Sequence, residues 1–234
     1  MPWNLAFADP PALLDRCQTG LLRLVRDQPG YASKAALPDL DWTDPTAGAL
    51  GLPGPAPGTP TGALVEIIAL PDAPDHRAHP DAIAGYWPLG RGERLLGFTD
   101  CPPDQRTTTV DHAHGHRLGI HLDNFDRQPI GRRELSRRRL ALNLGPGPRY
   151  LVLALATIQD IAGQAADFPR YPHTDDVHRY LGEGRTLPCL RLRLEPGEGY
   201  IAPTELIPHD GSTHGFDQPS RIAFWLGHWP GPRS

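Results

Sequence analysis

The chain has 234 residues, 39% of them hydrophobic, which suits one globular domain with elaborations and a sizeable core. A formal net charge of −4, from 23 Lys+Arg against 27 Asp+Glu, gives no reason to expect nucleic acid or a membrane as a partner held by bulk charge. Cys17, Cys101 and Cys189 are too few and too scattered for a disulfide framework or a thiolate zinc site. No apolar run approaches a membrane span, and the N-terminus lacks a charged-then-apolar segment, so a cytoplasmic protein is expected.

In chain order, Leu13, Leu14, Cys17, Leu21, Leu22 and Val25 recur at helical spacing after Pro11, predicting a helix packed outside a sheet over 11–25. Residues 27–62 read as loop, and the Pro/Gly-rich run 52–61 excludes both helix and central strand. Residues 1–62 are therefore expected to be an N-terminal helix and a wrap, with 63–229 forming the core of a single domain. Residues 63–70 form an apolar, β-branched run that predicts a buried strand, 71–80 a loop, and 94–99 and 106–110 two further strands.

The tract 111–116, D-H-A-H-G-H, carries His112, His114 and His116, but its Ala-Gly punctuation points to a turn. It reads as a solvated or substrate-lining loop in preference to a metal site. In 117–126, R-L-G-I-H-L-D-N-F-D, the leucines and isoleucine alternate with Arg117, Gly119, His121 and Asp123, the period of a strand with unlike faces. His121 and Asp123 then project together. Such a pair either hydrogen-bonds internally or grips a metal ion, which a histidine from elsewhere would complete as a two-His-one-carboxylate triad with open positions. Residues 131–139 hold Arg132, Arg133, Arg137, Arg138 and Arg139, expected as a solvated basic turn; the alternative is an anion-attracting patch.

A hairpin follows, with strands at 140–144 and 150–155 around Gly145-Pro146-Gly147-Pro148. Asn143, in phase with Arg139 and Ala141, is either a structural hydrogen-bonder or a ligand contact. Residues 158–165 and 174–181 have helical character, forming an insertion over 156–186. Strands are expected at 189–194 and 200–203, joined by a tight E-P-G-E-G turn. In the last apolar run, 221–229, Arg221 needs a counter-ion, supplied by a structural salt bridge or by a bound carboxylate.

As a set, H-L-D at 121–123, P-G-E-G-Y-I at 196–201, a distal His209 and Arg221 opening the final strand resemble the iron(II)/2-oxoglutarate-dependent oxygenases over residues 94–229. The resemblance implies a mostly β fold with flanking helices, with a double-stranded β-helix (jelly-roll, cupin-like) core. It implies Fe(II) bound by His121, Asp123 and His209, and 2-oxoglutarate held through its far carboxylate by Arg221, with Asn143 as a second contact. Ala223 stands where many members carry a serine that shares that carboxylate. Family spacing favours His209 over His214 as the distal ligand. Because Asp123 retains the carboxylate, hydroxylation using O2 is implied, or desaturation or cyclisation by the same hydrogen abstraction. A small amino-acid-like or natural-product substrate is the expected class. A cupin-like metal enzyme that does not use 2-oxoglutarate, or a binding barrel without metal, is the alternative.

Overall fold

Alternating apolar positions broken by frequent Gly and Pro favour strands joined by short turns. The computed structural model, which describes residues 6–44, 54–69, 93–164 and 167–229, is mostly β. One mixed sheet has six strands in the order β1 (Ala6–Phe7), β4 (Leu64–Ala69), β11 (Glu198–Ala202), β8 (Arg138–Pro146), β13 (Ser220–Gly227), β5 (Arg94–Cys101). The other has seven: β12 (His209–Ser212), β9 (Arg149–Ala154), β10 (Leu187–Leu194), β2 (Cys17–Arg26), β3 (Tyr31–Pro38), β7 (His116–Gly119), β6 (Val110–Asp111). Among the described residues only β1–β4 and β3–β7 run parallel. The main core packs Phe7, Leu22, Ile120, Leu151, Leu190 and Ile222, all essentially buried. A smaller cluster holds Leu140, Leu142, Ala223 and Trp225. Because side chains alternate along β8, Arg139 and Asn143 share the side of Ala141, which packs in the main core.

Several expectations require correction. The helix expected over 11–25 is a short 3-10 turn, Pro11–Arg16, that runs into strand β2. Its backbone groups are taken by β10 on one side and β3 on the other, and that ladder overrides the helical spacing of the leucines. β3 lies in a stretch read as loop, and only Val110–Asp111 is strand where 106–110 was expected. The helices, Ile158–Ala162 and Thr174–Gly182, are where the sequence suggests, the first held by a capping box of Thr157 and Asp160. The loop expected at 71–80 lies outside the described residues. Among the described residues no helix is long and apolar enough to cross a membrane.

The arginine-rich stretch is not a solvated turn. Arg133, Arg138 and Arg139 are buried, and each has a carboxylate partner: Glu205, Glu66 and Asp123 respectively. Arg137 pairs with Asp126. Arg133, in the 3-10 turn Ile130–Leu135, has no exposure at all. It donates to Glu205 Oε2 (3.2 Å), Asp123 O (3.3 Å), Asn124 Oδ1 (3.0 Å) and Pro172 O (2.9 Å). Glu205 in turn accepts from Asp126 N (2.6 Å) and Ser136 Oγ (3.2 Å). One buried ion pair therefore ties the loop after His121 to the segment that leads into β12. Removing one partner leaves the other charged and dry, so Glu205→Ala should cost about 3–5 kcal/mol of stability. The apolar pair Arg133→Met/Glu205→Leu should regain much of that loss, as read by denaturant unfolding.

A candidate metal centre

The site begins with a glycine. Gly119 ends β7 at φ +78°, and a Cβ there would meet Ala36 O at 2.7 Å. Past it, Ile120 N still donates to Ala36 O on β3 (2.8 Å), but the next residue leaves that strand. His121 N donates to His209 O (3.0 Å) and His209 N to His121 O (2.9 Å), an isolated antiparallel bridge to β12. β12 is the opposite edge of the same seven-stranded sheet, so that sheet curls until its two ends meet at these two histidines. Asp123 N then donates to Thr204 O (3.1 Å), fixing the third residue against the segment before β12.

His121, Asp123 and His209 are all buried, and each offers a ligand atom within 4.8 Å of the others. The two rings lie 4.8 Å apart between centroids. His121 Nδ1 is 3.0 Å from Gly119 O, and His209 Nδ1 is 3.1 Å from Ile207 O. These carbonyls call for a proton on each Nδ1, which leaves both Nε2 atoms unprotonated on the carboxylate side, that of His209 as the acceptor of an Arg139 hydrogen bond. His121 Nε2 lies 4.0 Å from Asp123 Oδ1, and His209 Nε2 lies 3.8 Å from Asp123 Oδ2. Ligand nitrogens oriented by backbone carbonyls through their other ring nitrogen are the arrangement in which imidazole binds a metal. Ligands about 2.1 Å from one ion at right angles sit about 3 Å apart, so each side chain would have to close by about 1 Å.

Arg139 completes the picture. Its Nη2 is 2.5 Å from Asp123 Oδ2 and its Nη1 is 3.3 Å from His209 Nε2. The contact to Oδ2 has ion-pair distance without hydrogen-bond alignment, so that buried oxygen retains acceptor capacity. A guanidinium thus stands among the ligand atoms and supplies positive charge there, so an entering ion would have to displace it from His209 Nε2. The charges agree. Burial would raise the Asp123 pKa, but Arg139, His209 and His121 outweigh it and hold the carboxyl below its ordinary value. Burial drives His209 down to about 3. His121 would also fall on burial, yet Asp210 (Oδ2 3.6 Å from Nδ1) and Asp123 carry it above the ordinary value. Donor set, tautomers and an ionised carboxylate fit a divalent ion once Arg139 yields its place.

Of the residues singled out from sequence, His209 joins His121 and Asp123, and His214 does not. His214 Nδ1 pairs instead with Asp104 Oδ1 at 2.8 Å, partly exposed. Asn143 is committed to the turn between β8 and β9, donating to Gly147 O and Leu194 O and accepting from Gly145 N. Arg221 is not brought to the cluster. Its side chain is 43% exposed, its Nε lies 3.6 Å from Asp100 Oδ1, and its guanidinium stacks 5.2 Å over Phe98. Asp111, His114 and His116 also gather, but as the closing pair and turn of the β6–β7 hairpin, half in solvent. Sequence reading missed Arg139, whose signal was its phase with Ala141 in β8. It also missed a cavity of about 600 Å³ lined by Arg139, Phe98, Phe125, Phe224, Ile222 and Thr108. Models of protein families, curated proteins and solved structures were all compared with the chain, and none matches.

Two measurements check the centre. His209→Ala and Asp123→Ala should each abolish stoichiometric Mn(II) or Fe(II) uptake, and His214→Ala should retain it; the reverse would move the distal ligand. With the His121 pKa raised, an arriving ion must displace a proton there as pH falls toward that value, whereas His209 has none to lose. Metal affinity should therefore weaken as pH falls through the raised His121 pKa, with net proton release seen by titration calorimetry in buffers of different ionisation enthalpy.

Proposed function

We propose that the chain is an iron(II)- and 2-oxoglutarate-dependent oxygenase that hydroxylates a small molecule, built on a double-stranded β-helix. The observation that carries this reading is the buried His121–Asp123–His209 cluster, with both Nε2 atoms turned to the side of one carboxylate. Two histidines and one carboxylate with positions left open are the donor set of non-haem iron(II) oxygenases and also of catalytic zinc sites, so metal identity is read from the uptake measurement. The strand order supports the fold: β5-β13-β8-β11 in one sheet, and the His121 segment, β12, β9 and β10 in the other, would be the two four-stranded layers of a jelly roll. Iron bound there would supply the chemistry that activates dioxygen while 2-oxoglutarate is decarboxylated to succinate.

The chain's own residues have separate tasks in this reading. The Gly119 and Ile207 carbonyls orient the two rings. Arg139 holds Asp123 Oδ2 and closes the floor of the cavity, its guanidinium 5.1 Å from the Phe224 ring and 5.7 Å from that of Phe125. Phe98, Phe125 and Phe224 give the cavity an aromatic wall, and a volume of about 600 Å³ suits a small substrate, with Arg139 the lining residue that touches the cluster.

A second reading, a cupin-like metal enzyme that does not use 2-oxoglutarate, draws on one observation: Arg221 is engaged with Asp100, away from the cluster. Reconstitution with Fe(II) under nitrogen, followed by oxygen and 2-oxoglutarate, separates the two. Iron-dependent succinate release that disappears in Asp123→Ala is expected. Stoichiometric iron with no succinate formed would favour the second reading.

A further inference from the structure

Four arginines among the described residues are buried, and three of them have a carboxylate partner: Arg133 with Glu205, Arg138 with Glu66, Arg139 with Asp123. The fourth, Arg149, is 2% exposed and has none among the described residues. Its guanidinium donates only to neutral atoms: Nη1 to Cys101 Sγ (3.4 Å) and Ser220 Oγ (3.3 Å), Nη2 to Thr108 Oγ1 (3.1 Å). Arginine keeps its charge at physiological pH, so it cannot escape burial by losing a proton. An uncompensated buried charge is costly, and three neutral contacts leave donors of the guanidinium fork unused. The charge calls for an anion from outside the chain.

Its position says which kind. Arg149 opens β9, and alternation puts Arg149, Leu151 and Leu153 on one face. Leu153 pairs with His209 and Leu151 with Gly211, so the arginine shares that face with the distal histidine. The guanidinium lies over Gly211, where a Cβ would come within 1.9 Å of Nη2 and 2.7 Å of Thr108 Oγ1. Only glycine leaves room for it. Gly211 is two residues from His209, about 6.6 Å along a strand, a gap comparable to a five-carbon diacid. Cys101 and Thr108, both bonded to Arg149, line the large cavity that also opens onto Arg139. The wall is rigid, since Asp210 Oδ1 accepts from Thr108 N, Thr109 N and Thr109 Oγ1. The buried Tyr200 hydroxyl is within electrostatic reach of Arg149, Arg139 and Asp123 together, so the arginine and the ligand cluster belong to one interior.

We propose that Arg149, with the hydroxyls of Thr108 and Ser220, is the subsite that binds one carboxylate of a short-chain organic diacid whose other end reaches the His121–Asp123–His209 cluster. The choice of 2-oxoglutarate as that acid rests on the oxygenase reading; the subsite itself rests on the buried charge. It takes the place that Arg221, engaged with Asp100 and partly exposed, does not fill. The planar fork gives bidentate recognition, and the two hydroxyls can turn to donate to the remaining carboxylate lone pairs.

The test is calorimetric titration of 2-oxoglutarate, glutarate and butyrate into Mn(II)-loaded protein, with melting temperature read in parallel. Arg149→Gln should take up Mn(II) in full and bind the diacids at least about thirty-fold more weakly than wild type. Arg149→Lys should also lose most of the affinity, because an ammonium lacks the fork. Without ligand, Arg149→Gln should melt no lower than wild type, since a cost has been removed; a residue with only a structural role would show the opposite. Should that variant not fold, Ser220→Ala and Thr108→Val serve, each weakening the diacids several-fold, while Arg221→Gln leaves them unchanged. Wild-type diacid affinity in Arg149→Gln, or a Mn(II)-loaded wild type that binds no diacid, overturns the proposal. Glutarate and 2-oxoglutarate bound equally through Arg149, with no succinate formed under iron and oxygen, would keep the subsite and remove the oxygenase reading. If wild type takes up no metal, that reading fails alone, and the same titrations on metal-free protein decide for or against Arg149.

Discussion

Two backbone hydrogen bonds between His121 and His209 hold together what the rest of the chain arranges. They are the point at which a seven-stranded sheet meets its own far edge, and the residues that make them also supply the side chains of the site. Everything nearby serves to keep that meeting in register. Gly119 gives the chain the turn it needs to leave β3, and the Arg133–Glu205 pair clamps the two approaching segments from outside. Asp123, two residues on, is carried to the same place by its own bond to Thr204. The geometry of the ligand atoms follows from the closure of a sheet, an arrangement stiffer than side chains displayed on a loop.

The interior is organised by arginine. Burying four guanidinium groups in a domain of this size is unusual for residues so seldom found inside. Three have their charge answered within the fold, and those three brace a loop, a sheet edge and the Asp123 carboxylate. The answered charges are structural in effect: exchanged for well-packed apolar groups, such pairs often change stability little. The unanswered one at Arg149 has no such justification, and for that reason it is informative about what enters the cavity.

Much of the site could be read from residue types and spacing, and the reasons for what could not be read are physical. The alternation around His121 and Asp123 put both on one side because strand phase is a local property, even though the formal strand ends at Gly119. Leu21, Leu22 and Val25 suggested a helix, because their spacing fits one and only the neighbours β10 and β3 decide otherwise. β3 itself, Y-A-S-K-A-A-L-P, has no strong β signal; it is a strand because β2 and β7 flank it. Arg221 and Arg149 show the same limit at the scale of one residue. Both stand at the start of an apolar strand, and nothing in either neighbourhood of sequence says which has a carboxylate within reach. That depends on Asp100 in β5 and on a glycine sixty-two residues further on (211 − 149), which only the folded register brings alongside.

The closure at His121 and His209 has a thermodynamic corollary. A cation shared by those two imidazoles would cross-link the sheet at its seam, as a staple does, and the binding energy would appear directly as resistance to opening there. The amide protons of residues 121 and 209 are each other's bridge, so their exchange with solvent is a direct gauge of whether the seam is fastened. Availability of a divalent cation in the surroundings would then govern how long the sheet stays closed, linking the lifetime of the folded protein to the occupancy of its seam.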